Sequence, residues 1–213
     1  MKKEKVKLLR SSLPLFDGIA FLERFSNRGV FILLFLLLIC GVFVGSAVTV
    51  GFGLFEGRSV FPLFFSGIPS PETGFLSCFT TLLLNVLICL IVLFLLGVTA
   101  FGVLAVPVFV FLKGITVGIG ALSFFFSEGL LSGLGQSALY YIPATAAASL
   151  LILFFGVRSL VFSDRLAKVS FSAHEGSLDF NDYFKDFLLF LTLAVAASLA
   201  GSLPAALYAV FLP

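Results

Sequence analysis

Few residues in this chain could do chemistry. The first is Lys113, a single lysine inside the apolar, glycine-spaced stretch FVFLKGITVGIGALSF at 109–124. A lysine at mid-bilayer costs roughly 2.5–3.5 kcal/mol on insertion scales, so it is retained where it faces other helices, water or exposed carbonyls rather than lipid. Pro107 lies shortly before it and has no N–H, which leaves a carbonyl near residue 103 without its helical donor. The pattern predicts a kink or break at Pro107 whose freed carbonyls receive the Lys113 ammonium. Proline followed by Lys113 and Gly114 also suits a discontinuous helix lining a cavity, although the apolar spans offer no carboxylate to pair with the lysine. A second group is His174 with Glu175, Asp179, Asp182 and Asp186. A metal site needs at least three converging ligands, and one histidine among scattered carboxylates in a Ser/Gly-containing loop reads as solvated loop. Cys40, Cys78 and Cys89 have neither metal-ligand spacing nor an even number for disulfides, and read as small apolar packing residues.

Catalytic signatures are missing: there is no G-x-S-x-G, no H-E-x-x-H and no P-loop, and GITVGIG has no strand before it. The expectation is a non-enzyme with no cofactor and no metal. A basic folded patch for nucleic acid is also missing.

The elements that hold these residues follow from composition. Of 213 residues, 60% are hydrophobic, 11% are charged and 29 are phenylalanine, which leaves too little charge to cover a soluble domain. The sequence predicts an all-α polytopic membrane protein, a bundle of five transmembrane helices. Spans fall at about 30–54, 75–96, 102–126, 137–162 and 187–212, each sufficient to cross roughly 30 Å of hydrocarbon. The second and third form a hairpin turning at LGVTAFG, 96–102, where two glycines and a threonine interrupt the leucine pattern. Residues 30–212 then form one domain, preceded by a 1–29 segment in which LFDGIAFLERFSNR suits an interfacial cytoplasmic helix.

Lys and Arg are retained on the cytoplasmic side of short loops. They concentrate at Lys2, Lys3, Lys5, Lys7, Arg10, Arg24 and Arg28, and again at Arg158, Arg165, Lys168 and Lys185, whereas the 55–74 loop holds only Arg58. The expected topology is a multi-pass cell-membrane protein with its N-terminus cytoplasmic and its C-terminus outside.

Glycines mark packing faces. Gly41 and Gly45, like Gly114 and Gly118, sit one helical turn apart, which lets helix backbones approach closely where lipid supplies no hydrophobic drive. ATAAAS at 144–149 and AVAASLAGS at 194–202 repeat the idea. Packing within the chain is the expected use, with a homo-oligomer as the other.

Residues 95–118, LLGVTAFGVLAVPVFVFLKGITVG, resemble the core of the stage II sporulation protein M family, through Gly97, Gly102, Leu112, Lys113, Gly114 and Gly118. Pro143-Ala144 and Arg158 are similar to that family's proline-alanine helix and closing arginine. Two features depart from the pattern: Pro107 stands further beyond Gly102 than is usual, and GQSALYY replaces the polar motif many broader relatives carry before the proline-alanine pair. The resemblance implies a non-enzymatic membrane scaffold of an endospore-forming bacterium. It would recruit and position the single-pass sporulation D and P proteins, which degrade peptidoglycan during forespore engulfment. The alternative is a permease-type subunit working with a separate ATPase, in which Lys113 would line a path.

Overall fold

The computed structural model describes residues 28–52, 75–127, 142–172 and 180–211. Five helices run through them: α1 Arg28–Phe52, α2 Phe75–Gly97, α3 Gly102–Ser127, α4 Ile142–Ser172 and α5 Phe180–Phe211. All five are long and apolar enough to cross a membrane, and no strand occurs among the described residues. The expected interfacial helix before residue 28 and the loop at 55–74 lie outside the described residues, as do His174, Glu175 and Asp179.

The first three helices start and stop within two residues of the expected spans. The turn between α2 and α3 occupies residues 98–101, where backbone bonds from Val98 to Phe94, Thr99 to Leu96 and Gly102 to Thr99 reverse the chain. The other two helices correct the sequence reading. The stretch 163–186, read as a cytoplasmic loop, is largely helical: α4 continues to Ser172 and α5 begins at Phe180. Charged residues end the apolar run there without ending the helix, and the Lys168–Asp164 pair at 2.6 Å spans one turn of the extension.

Pro107 brings a second correction. α3 passes through it as one continuous helix, so the expected break is absent. Pro107 is the sixth residue of α3, past the first-turn amides that lack intrahelical acceptors, so its missing N–H forfeits one bond, to the Val103 carbonyl, which the helix sustains without breaking.

Packing divides the bundle unevenly. The most extensive helix pair is α1 with α3, and α4 packs against all four other helices. Leu34, Val106 and Val110 meet Ile152 and Phe155 in one core cluster, with Leu90, Leu93, Tyr183 and Phe190 completing it. Large apolar side chains elsewhere, such as Ile32, Phe43, Leu84, Leu104 and Leu199, point outward, as a lipid-facing surface requires. Near one end of the bundle an aromatic stack joins three helices. Tyr183 of α5 lies parallel between Phe162 of α4, at 4.4 Å, and Phe94 of α2, at 5.2 Å between ring centroids.

Candidate functional site

The glycine faces come first because they set the positions of the polar groups. Gly41 and Gly45 on α1 meet Gly114 and Gly118 on α3 in a single seam. A Cβ added to Gly41 would lie 3.0 Å from the Gly114 Cα and closer still to the Phe111 carbonyl, and one added to Gly118 would lie 3.0 Å from the Ser46 amide nitrogen. At Gly45 the obstacle is the Ile115 backbone. Backbone therefore rests on backbone along two turns of each helix, the geometry that small residues at this spacing permit.

That seam fixes the face of α3 that carries Lys113. The side chain is only 4% exposed, about 16 Å along α3 from its start at a rise of roughly 1.5 Å per residue. Its Nζ donates to Asn85 Oδ1 of α2 at 2.7 Å, and the Cys89 thiol, one turn further along α2, also faces the ammonium. The acceptor is thus a side-chain amide of the neighbouring helix, and the expected contact with carbonyls freed at Pro107 is corrected. Asn85 is itself buried in the run LLLNVLICL. An amide at mid-span in a leucine-rich helix was a visible signal that sequence reasoning passed over, since such a group is retained where it bonds across helices.

The glycines flanking the turn serve a different contact. A Cβ on Gly97 would strike the Tyr183 hydroxyl and the Ser159 Oγ, and one on Gly102 would strike the Leu96 carbonyl and the Ser163 Oγ. These hydroxyls hold the end of α2. Ser159 donates to the Leu93 carbonyl, Tyr183 to the Phe94 carbonyl at 3.2 Å, and Ser163 to the Thr99 carbonyl at 2.7 Å. They are supplementary acceptor bonds where a helix end leaves carbonyls short of donors. Tyr183→Phe keeps the aromatic stack and removes the hydroxyl, so it should cost about 1 kcal/mol. Gly97→Ala forces the three groups apart and should cost about 1–3 kcal/mol. Thermal unfolding of the detergent-solubilised chain followed by circular dichroism checks this ranking, and equal midpoints for the two variants would contradict it.

Arg158 pairs with Asp186 of α5, its Nε donating to Asp186 Oδ2 at 2.7 Å and its Nη2 to the same oxygen. Sequence reasoning placed Asp186 outside the spans; the helical extension of α5 brings it opposite the arginine. Asp182 pairs with Lys185 at 3.3 Å on the exposed side of α5. Among the described residues no group of three or more His, Cys, Asp or Glu converges to hold a metal ion. Pro143 is exposed near the start of α4, and the neighbouring Ala144 packs against Gly201 of α5.

Fold and interior together define a polytopic α-helical membrane protein whose polar side chains bond one helix to another. Comparison with protein-family models, curated proteins and solved structures finds no match to any of them.

Proposed function

We propose that the chain is a non-enzymatic integral membrane scaffold of the kind its resemblance to the stage II sporulation M family implies. Its N-terminus lies in the cytoplasm, and it recruits and positions single-pass proteins that degrade peptidoglycan outside the membrane. The observation that carries this reading is the placement of Lys113. The Lys113 ammonium, near the middle of α3, is buried between helices and bonded to Asn85, an arrangement that supports a structural use of the charge over a path for a substrate. The tight α1–α3 seam and the hydroxyl-held turn likewise suit a rigid platform, whose outward apolar faces are available to partner helices.

Affinity recovery of the tagged chain from intact membranes tests the proposal. Co-recovery of single-pass proteins with peptidoglycan-active ectodomains is the expected result. Recovery of an ATPase that the chain stimulates, with flux across reconstituted vesicles, would replace the scaffold with a permease subunit. Orientation has its own test: a reporter fused after Pro213 is expected to be active only outside, and cytoplasmic activity would reverse the topology.

A further inference from the structure

The end of the bundle that carries the 98–101 turn is charged on one side and uncharged on the other. From Gly74 through Leu112 the sequence holds no Asp, Glu, Lys or Arg. Within that stretch the turn region presents large apolar side chains outward: Phe101 is 80% and Leu104 77% exposed, and Leu95 near the end of α2 is exposed as well. They continue the outward apolar surface that Ile91 and Val108 make further along α2 and α3. At the same end α4 and α5 differ. The side chains of Lys168 and Lys185 are 69% and 64% exposed, each paired with an aspartate of its own helix.

Hydrogen bonds fix the relative heights of the two sides. Tyr183 of α5 and Ser159 of α4 reach the carbonyls of Phe94 and Leu93, and Ser163 reaches that of Thr99 in the turn. Asp182 and Lys185 lie within one helical turn of Tyr183, so exposed charge on α5 stands level with the last turn of α2. The 98–101 turn lies further out by the four residues from Ser159 to Ser163, roughly 6 Å at about 1.5 Å per residue. Across the bundle, α1 keeps step with the turn rather than with α5. It lies along α3 with Gly41 against Gly114, which sets Arg28, its exposed first residue and only charge, level with the start of α3. The boundary between apolar and charged surface therefore crosses the bundle obliquely. The turn's backbone also suits an apolar setting. The amides of Val98, Thr99, Gly102, Leu104 and Ala105 donate to carbonyls within the hairpin, and the Thr99 hydroxyl donates to Leu96. Lipid offers such groups no partner, so a segment lying in it must bond them internally.

We propose that the bundle stands tilted in the membrane, with the α2–α3 turn seated among phospholipid acyl chains while the α4–α5 end emerges among headgroups and water. Both α2 and α4 pack against α3 on one side and α5 on the other. The offset of roughly 6 Å is thus spread over about two interhelical spacings of about 8–10 Å each. A tilt of about 20° covers it, which is the ordinary value for membrane helices, so the leaflet itself need not deform. The occupant of the apolar tip is lipid because the tip's surface runs without a charged break into the lipid-facing sides of α2 and α3. This seating is independent of what the scaffold recruits.

Tryptophan fluorescence of the full-length chain in phosphatidylcholine vesicles tests this, because the sequence contains no tryptophan. Phe101→Trp, Lys168→Trp and Lys185→Trp each place a single reporter at an exposed position, where the fold has little to lose. Circular dichroism matching that of the parent chain checks that each variant keeps its helices. Two quenchers are compared: phosphatidylcholine brominated on its acyl chains, and acrylamide in the water. In an upright bundle the reporter at 185 lies deeper than that at 101, since Lys185 is nearer the middle of its helix. Tilting reverses the order. Brominated lipid is expected to quench Phe101→Trp severalfold more strongly than either lysine variant, and acrylamide to do the opposite. Quenching of Phe101→Trp by acrylamide as strong as that of Lys168→Trp would put the turn in water and overturn the proposal. A Phe101→Trp chain shielded from both quenchers would overturn it too, because protein rather than lipid would then cover the tip.

Discussion

Gly114→Leu combined with Gly118→Leu is expected to unfold the bundle from its α1–α3 side, with the largest loss of stability of any substitution considered. The reason lies in what the new side chains would meet. At Gly114 even a Cβ would run into the Leu38 carbonyl and lie 3.0 Å from the Gly41 Cα; at Gly118 it would meet the Val42 carbonyl. These obstacles are main-chain atoms, which cannot rotate aside, so leucine can be accommodated only by separating the helices. Overpacking costs typically about 1–3 kcal/mol per site and more where nothing yields, and the two sites share one seam, so their effects should not simply add. Water supplies no compensating drive inside a bilayer, where close packing is the main attraction between helices. The control is built into α1: Gly29→Leu and Gly51→Leu introduce side chains where no atom lies within 4 Å of the added Cβ, and should be nearly neutral. Titration with sodium dodecyl sulfate, followed by circular dichroism and by the labelling rate of the buried Cys89, measures both. Equal resistance of the double-leucine chain and the Gly29→Leu chain would remove the seam from the account of stability.

Much of this arrangement was legible in the sequence, and the misses have physical causes. The hairpin at 96–102 could be read because glycine and threonine interrupt a leucine-rich run. The glycine pairs could be read as packing faces because one-turn spacing places them on one side of a helix. Spacing does not say which helix answers which, so the match of Gly41 and Gly45 with Gly114 and Gly118 emerged only in three dimensions. The interior position of Lys113 followed from the cost of exposing charge to lipid, whereas its acceptor did not follow. Pro107 drew the sequence reading, but α3 runs through it unbroken, and the acceptor is Asn85 on another helix. The length of α4 and α5 was misjudged for a related reason. Hydropathy marks where apolar sequence ends, and helices stabilised by their own backbone bonds and by pairs such as Asp164–Lys168 continue beyond that point.

Asn85→Leu is expected to destabilise the bundle more than Lys113→Met, and the double variant Lys113→Met/Asn85→Leu to recover much of the loss. The two single changes remove the same 2.7 Å hydrogen bond but leave different groups behind. Lys113→Met leaves a neutral amide in a buried setting, which costs about 1–3 kcal/mol when its bond is not replaced. Asn85→Leu instead deprives a buried ammonium of its amide acceptor, and a charge is more costly than a dipole to keep in a low-dielectric interior. Methionine keeps most of the lysine stem, and leucine is close to asparagine in size, so the double variant substitutes apolar contact for the polar pair with little change in shape. Lys113→Arg should be partly tolerated, because its charge persists while its broader planar head must find room between α2 and α3. Unfolding free energies of the four chains in one detergent form a double-mutant cycle, with a coupling of about 1.5–3 kcal/mol expected for a hydrogen bond to a charged group. A double variant no more stable than Asn85→Leu would mean that the amide and the ammonium act separately. Lys113 would then owe its place in the interior to other neighbours, among which the Cys89 thiol of α2 is the first to replace.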